Sequence, residues 1–139
     1  MTPTLSDRDQ IIERLAELAA ALDRRDWDAI GAMFVPSAAG YGRTGRDEIV
    51  ATVRAHLGGC GPSQHLLGNH RVEIRGDEAR SLTYARVHHR GEGPAEGLAY
   101  ECFGEYEDRW TRTPHGWHIT SRTFTISHDL GDFAVLRPG

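Results

Sequence analysis

An acidic residue and a histidine, Asp23 and His65, carry the clearest chemical signal in this sequence. Asp23 lies at the end of an apolar helical pattern, and His65 lies where a strand pattern begins. A carboxylate that orients an imidazole makes a general base that works near neutral pH. The pair therefore predicts proton abstraction, while the identity of the substrate is not encoded in these two residues.

Asp23 is unusually placed for a purely structural carboxylate. Successive side chains are rotated by about 100° around the helix axis. Asp23 follows Ile12 and Ala16 by nearly whole numbers of turns, so it falls with them on the apolar side of the helix. It also lies near the helix C-terminus, where the macrodipole disfavours a negative charge. Residues that break local rules often serve function. The alternative is that Asp23 pairs with Arg24 or Arg25, or caps the next helix.

A hairpin turn at residues 76–77 sets the register of two long predicted strands. Pairing outward from it places His65 opposite His88 or His89, with Cβ atoms about 5 Å apart. Because His88 and His89 are adjacent on a strand, only one of them can enter a pocket. His65 has the opposite parity to the core-facing residues further along its strand. Either His65 points outward or a bulge intervenes, for which residues 68–69 are a suitable place.

The composition is typical of a soluble globular protein. Hydrophobic residues make up 39% and charged residues 26% of the 139 positions, and the net charge is −4. This charge argues against a nucleic-acid partner, and no apolar run has the roughly 20 residues that a membrane span needs. The N-terminal residues lack a signal-peptide pattern, so we expect a cytoplasmic protein. Cys60 and Cys102 match no metal spacing and are interpreted as reduced thiols.

The elements that must position these residues change type near residue 60. Before it, the apolar residues recur with helical period and predict three helices, beginning near Ser6, Asp26 and Thr44. Pro36 is expected to stop the second helix, before a short strand at residues 38–41. After residue 60, the alternation of apolar and polar residues predicts long strands. Their expected ranges are 65–74, 79–90, 98–113 and 116–127. The predicted fold is α+β, a single domain over residues 1–139, with three N-terminal helices covering a strongly bent antiparallel sheet.

Four segments give the sequence a family resemblance. Residues 23–28, 65–69, 106–110 and 116–119 resemble the SnoaL-like branch of the nuclear transport factor 2-like superfamily. The resemblance extends over residues 7–127 and implies a cone-shaped α+β fold. At the active-site positions the sequence is similar to scytalone dehydratase and hexachlorocyclohexane dehydrochlorinase.

This resemblance implies a cofactor-independent lyase of dehydratase or dehydrohalogenase type. Asp23 would orient His65, which would remove a proton from carbon in a small, largely apolar substrate. Tyr41, His89 or Tyr106 would then assist the departure of water or halide. The same residues could instead serve a polyketide cyclase or isomerase, and a non-catalytic small-molecule-binding module is the remaining alternative.

Four residues are candidates for contacting the substrate. Tyr106 stands near the position of a substrate-binding asparagine in scytalone dehydratase, and Arg122 is a counterpart of a basic residue of the dehydrochlorinase. Asn69 would bind substrate or hydrogen-bond the backbone at a bulge. Trp27 would line the pocket mouth or anchor the core. Leu22 replaces a tyrosine of scytalone dehydratase, which argues against scytalone as the substrate.

Neither a metal nor an organic cofactor is expected. The chain lacks a glycine-rich dinucleotide fingerprint and a phosphate loop, and its histidines are not spaced as a closed metal site. A metal bound by Asp23, His65 and His89 is the less favoured alternative. The expected partners are a small-molecule substrate and further copies of the chain. We expect a trimer ahead of a dimer, because the strands carry apolar side chains that need covering and the relatives are trimeric.

Overall fold

The computed structural model describes residues 4–139, so the first three residues of the predicted domain and N-terminal segment lie outside it. The helices are α1 (Asp7–Arg24), α2 (Trp27–Ala32) and α3 (Arg46–Leu57). The strands are β1 (Phe34–Gly40), β2 (Arg43–Thr44), β3 (Ser63–Arg75), β4 (Glu78–Arg90), β5 (Ala99–Thr113) and β6 (Gly116–Gly131). Two single-turn 3₁₀ helices, Gly93–Ala95 and Phe133–Val135, complete this set of elements.

The strands form one strongly curved, unclosed sheet in the order β2-β1-β6-β5-β4-β3. All neighbours are antiparallel except β1 and β6, which run parallel. The predicted α+β architecture is confirmed, with the parallel pair as an addition that the sequence did not suggest. Within residues 4–139, none of the helices combines the length and apolarity that crossing a bilayer requires.

Helix α1 begins and ends where its sequence directs it. The Ser6 side chain accepts a hydrogen bond from the Asp9 backbone N–H and caps the first turn. The face of Ile11, Leu15 and Leu18 is buried against the sheet. The helix ends at Arg25, whose left-handed backbone (φ 57°) allows its N–H to bond back to the last turn.

The second helix is shorter than its pattern predicted. It ends at Ala32, and Phe34, expected to be helical, instead starts β1 and pairs with Ile119 of β6. The short strand expected at 38–41 therefore begins four residues earlier. Pro36 lies between the paired positions Phe34 and Ala39, where the register is irregular and a missing N–H is tolerated. Tertiary pairing with β6 thus overrides the local helical pattern.

The sheet bends at defined irregularities. Between β5 and β6 the register shifts at two places, one of them next to Gly104. A Cβ added at Gly104 would lie 2.5 Å from the Thr125 carbonyl oxygen and 2.7 Å from the Phe124 ring. Only glycine therefore permits the close approach of β6 at this bend. A register shift of this kind bends the sheet, and a cavity lies between the curved sheet and the helices.

Two apolar clusters fill the cone. The larger lies between the helices and the narrow end of the sheet and includes the buried Trp110 and Trp117. The Trp110 indole donates a hydrogen bond to the Ser81 hydroxyl at 2.9 Å. The smaller lies toward the wide end and includes Tyr100 and Tyr106. The interior also contains a charged pair, contributed by β5 and β6.

Arg122 and Asp108 form a buried ion pair across β5 and β6. The guanidinium donates to the two carboxylate oxygens at 2.7 and 3.1 Å, and both side chains are almost completely buried. Burial alone lowers the pKa of Arg122, but the Asp108 carboxylate outweighs this and raises it, so the guanidinium stays charged. Removing one partner would leave an uncompensated charge in the interior.

We expect Arg122→Gln to lower the free energy of unfolding by about 3 kcal/mol or more, because Asp108 loses its cation. Urea unfolding followed by circular dichroism measures the change. Arg80→Gln is the matched control, since Arg80 pairs with Glu107 at the surface, and it should cost no more than about 1 kcal/mol. Equal losses in the two variants would contradict the role assigned to the buried pair.

Candidate functional site

The predicted contact between Asp23 and His65 is present in the structure. Asp23 lies in the last turn of α1, and His65 is the third residue of β3. The distance from Asp23 Oδ1 to His65 Nδ1 is 2.7 Å. Since a carboxylate oxygen only accepts, Nδ1 carries the ring proton and Nε2 has a free lone pair. The His65 side chain is buried, and the Asp23 side chain is half-buried.

The Asp23 carboxylate also binds the start of β3. The His65 backbone N–H donates to Oδ2 at 3.0 Å, and the Ser63 hydroxyl donates to Oδ1 at 2.9 Å. Burial raises the pKa of this carboxyl, but the hydrogen bonds and charge of His65, together with the Ser63 hydroxyl, lower it more. The pKa is lowered overall, so Asp23 is ionised at neutral pH. Neither Arg24 nor Arg25 binds this carboxylate, contrary to the simpler structural interpretation.

A bulge in β3 turns His65 inward. The register with β4 shifts between Gly68 and Arg71, and Asn69 takes a left-handed backbone (φ 52°). The predicted bulge is therefore confirmed, and it reconciles the parity of His65 with that of the core residues beyond it. The predicted partner was wrong, because His65 lies opposite Val87.

His89 is the member of the His88–His89 pair that enters the interior. Its ring is buried, whereas His88 is exposed. His89 Nδ1 lies 2.9 Å from the Tyr100 carbonyl oxygen and must donate to it. The His65 and His89 rings lie edge to face, with centroids 6.2 Å apart. Burial, together with nearby positive charge and despite the Tyr100 bond, lowers the pKa of His89 to about 4.

Both histidines line a cavity of about 410 Å³ between the helices and the wide end of the sheet. Within residues 4–139, no protein group hydrogen-bonds Nε2 of either ring, and no fully buried side-chain nitrogen or oxygen lacks a partner. Each Nε2 is therefore left without a protein partner, on a ring that lines the cavity. Its remaining wall is mainly apolar and aromatic, including Leu22, Val87 and Phe124.

Two of the predicted tyrosines also line this cavity. Tyr41 sits in the turn after β1 with a left-handed backbone (φ 52°), and Tyr106 comes from the middle of β5. The Tyr106 ring stacks on Phe124 with centroids 4.4 Å apart. Burial raises the pKa of Tyr106 well above its ordinary value, so its hydroxyl keeps its proton. The cavity thus combines two nitrogen acceptors with two phenol groups.

Three predicted substrate contacts lie away from the cavity lining. Asn69 is exposed at the bulge. Trp27 is half-buried on α2, with the Arg54 guanidinium 5.5 Å from its ring centroid. Arg122 is held by Asp108 beneath the cavity wall, with its guanidinium carbon 3.8 Å from the Tyr106 ring centroid. Arg122 therefore touches the site through Tyr106.

The structure adds site residues that the sequence reasoning missed. Ser63 binds the Asp23 carboxylate, and Tyr100 fixes the tautomer of His89 through its carbonyl group. The segment after β6 returns to the cavity, where Phe133 and Leu136 form part of the wall. The apolar residues at 133, 135 and 136 were a usable signal, but the resemblance ended at residue 127. His56 of α3 lines the cavity beside Phe133.

Comparisons with known proteins agree with this geometry. An uncharacterized protein of Mycobacterium tuberculosis (strain H37Rv) is 32% identical over 127 residues, covering 87% of this chain and 86% of the relative. A Novosphingobium aromaticivorans structure named as a candidate aromatic ring hydroxylase superposes with a TM-score of 0.85 (24% identity, covering 96% of this chain and 99% of that one).

Two enzymes of more specific name share the fold at lower identity. A candidate scytalone dehydratase from N. aromaticivorans has a TM-score of 0.81, at 19% identity over 88% of this chain and 85% of that one. A type 2 hexachlorocyclohexane dehydrochlorinase, LinA, has a TM-score of 0.79, at 12% identity over 90% and 88%. At these identities the likeness establishes the fold alone.

The curved, unclosed sheet and its three helices define a cone-shaped domain of the nuclear transport factor 2-like superfamily. Within that superfamily, the family described as the SnoaL-like domain matches residues 3–123. The chain belongs to this SnoaL-like family.

The pKa of His89 is about 4 in the folded protein, and its ordinary value is 6.5. Between pH 4 and pH 6.5, His89 is therefore protonated in the unfolded chain but not in the folded protein. Stability should therefore fall as the pH drops from 6.5 to 4, by about 3 kcal/mol from this residue. We expect His89→Asn, which can still donate to Tyr100, to lose less stability over this range. Urea unfolding at several pH values measures it.

The exposed neighbour provides the control for this prediction. His88→Asn should retain the acid sensitivity of the wild-type protein, because His88 lies on the outer face of β4. Unchanged acid sensitivity in His89→Asn would show that His89 titrates near its ordinary pKa.

Proposed function

We propose that this protein is a cofactor-independent lyase of the dehydratase or dehydrohalogenase type. The observation that carries the proposal is the 2.7 Å contact between Asp23 Oδ1 and His65 Nδ1, on a His65 ring that lines the cavity. This arrangement supplies a general base with a fixed tautomer at the wall of a largely apolar pocket. The dehydratase and dehydrochlorinase names among the structural neighbours support this class of reaction.

The first step is proton removal from a carbon atom of the substrate by His65 Nε2. Ionised Asp23 stabilises the imidazolium that forms and keeps the ring in position. The electron pair of the broken C–H bond forms the new double bond, and hydroxide or halide leaves from the adjacent carbon. The proton held by His65 can then neutralise a departing hydroxide.

The tyrosines and His89 have different roles in this scheme. Tyr41 and Tyr106 carry hydroxyl groups at the cavity wall, and the raised pKa of Tyr106 keeps it a donor toward a carbonyl or a leaving group. His89 is neutral at pH 7, and its single ring proton is committed to Tyr100. Its Nε2 therefore accepts a hydrogen bond from a substrate hydroxyl and is unsuited to donate a proton.

The cavity favours a small and largely apolar substrate. Its volume is about 410 Å³, and apolar and aromatic side chains dominate the lining. Isomerisation or ring closure would begin with the same proton removal by His65. Product analysis separates these reactions, since only a lyase releases water or halide from the substrate.

We expect Asp23→Asn to fold normally but to lower turnover at least about 100-fold, because the neutral amide cannot stabilise the imidazolium. Steady-state rates on a set of hydroxylated and halogenated small molecules measure the effect. Asp28→Asn makes the same chemical change at an exposed position of α2, and its turnover should equal that of the wild type. Turnover of Asp23→Asn at the wild-type rate would refute the proposed role.

The same assay distinguishes the proposed mechanism from a metal-dependent one. Wild-type activity should survive treatment with a chelator, because the proton transfer needs only His65, Asp23 and nearby donors. Restoration of a lost activity by zinc would overturn the mechanism. Among residues 4–139, no group of three His, Cys, Asp or Glu side chains is placed to hold a metal ion.

We also propose that the chain forms a homo-oligomer through the outer face of its sheet. Leu66, Tyr84 and Leu130 are more than half exposed on this face, and Phe103 lines a shallow groove there. Phe124 and Ile126 of β6 line the cavity. An apolar surface of this kind is stabilised when another copy covers it.

Light scattering at micromolar concentration should give a mass two or three times that of the 15.4 kDa chain, with a trimer expected ahead of a dimer. The double variant Leu66→Arg, Tyr84→Arg should shift the mass toward the monomer, since it places charge in the covered face. A monomeric wild-type protein would end this proposal.

A further inference from the structure

A chain of hydrogen bonds lies behind the Asp23 carboxylate. Arg25 donates from Nη1 to the Ser63 hydroxyl at 2.7 Å, and this hydroxyl donates to Asp23 Oδ1 at 2.9 Å. The same oxygen accepts the hydrogen bond of His65 Nδ1. We propose that Arg25 and Ser63 are positioning residues that share the charge of Asp23 and so adjust how strongly it holds a protonated His65. This proposal rests on the proposed role of His65 as the base.

Arg25 is fixed in place by several elements. Its guanidinium donates to the main-chain oxygens of Leu22 (2.8 Å), Leu57 (3.0 Å) and Gly61 (2.6 Å). These bonds join the ends of α1 and α3 to the segment before β3, and they hold a non-glycine residue in the left-handed region. None of the hydrogen bonds that its side chain makes within residues 4–139 goes to a carboxylate. Arg25 is linked by hydrogen bonds to the Asp23 carboxylate through the Ser63 hydroxyl.

The positive charge of Arg25 also reaches other groups at this end of the cavity. Burial is the main cause of the lowered pKa of His89, and Arg25 contributes to it. Burial raises the pKa of Cys60, and Arg25 opposes that rise. The titratable and charged groups around the hydrogen-bonded chain are His65, His88, His89, Cys60 and Glu92.

The Ser63 hydroxyl and the His65 ring compete for one carboxylate oxygen. A hydroxyl that donates to Oδ1 takes up part of its negative charge and weakens its attraction for an imidazolium. Removing this hydroxyl should strengthen that attraction, so that His65 keeps its proton to higher pH. Arg25 orients the hydroxyl and adds a positive charge that disfavours the imidazolium. Together these groups would weaken the hold of Asp23 on the protonated base.

The first test compares pH–rate profiles of the wild type, Ser63→Ala and Ser63→Thr. In Ser63→Ala the acid limb should move to higher pH by about half a unit, the size expected for one hydrogen bond. The rate at the alkaline plateau should change by less than about threefold, because the base itself is intact. Ser63→Thr keeps a hydroxyl and should restore the wild-type profile. A purely structural role for Ser63 would change rate or stability without moving the acid limb.

The second test removes the guanidinium. Arg25→Gln should move the acid limb in the same direction by about one unit, since both the charge and the orientation of Ser63 are lost. Arg25→Gly makes the same deletion with a residue suited to the left-handed backbone, and it serves if the Gln variant folds poorly. Arg24→Gln is the matched control, because Arg24 is the exposed neighbouring cation, and its profile should not move.

The third test needs no substrate and separates this proposal from the proposed function. NMR titration of the Asp23 carboxyl should give a higher midpoint in Ser63→Ala than in the wild type, since the Ser63 hydroxyl lowers its pKa. The His89 midpoint should rise in Arg25→Gln. Unchanged midpoints in folded variants would overturn the proposal. If the midpoints shift but the protein shows no turnover, the positioning role of Arg25 and Ser63 is supported and only the proposed function is refuted.

Discussion

The site depends on the partial burial of one carboxylate at the junction of α1 and β3. Asp23 is in the last turn of a helix, where the backbone carbonyls repel it, and it has lost part of its hydration. Three hydrogen bonds compensate for these costs, from the Ser63 hydroxyl and from the backbone and ring of His65. Because all three donors belong to the start of β3, the same interaction that satisfies the charge also fixes His65.

The curvature of the sheet gives this pair its surroundings. The bulge at Asn69 turns the first part of β3 so that His65 faces inward, while the close approach at Gly104 brings β6 over the helices. Tyr106 then faces Phe124, and His89 lies behind His65. A flat sheet with the same sequence alternation would place these groups on one face without enclosing them. The cavity is therefore a consequence of irregularities in the ladder rather than of the strands as such.

Burial has different consequences for the polar groups at the cavity. His89 is buried without a carboxylate partner, so its neutral form is favoured, and the Tyr100 carbonyl selects the tautomer. Asp23 is less buried and better supplied with donors, so its charged form is favoured. Arg122 is charged, and the Asp108 carboxylate buried with it compensates that charge. Neighbouring ionisable groups thus reach different protonation states at one pH, which is what acid–base chemistry requires.

The sequence by itself determined the order of helices and strands, because periodicity and turn residues are local signals. It offered a bulge near Gly68 and a contact between Asp23 and His65, each beside an alternative, and the structure contains both. The tertiary structure decided the rest. It joined β1 to β6, placed the segment around Phe133 at the cavity, and left Asn69 and Trp27 outside the lining. It also linked Ser63 and Arg25 to the Asp23 carboxylate through hydrogen bonds. These outcomes depend on contacts between residues distant in the chain, whose energies outweigh local propensity and whose partners a single sequence does not identify.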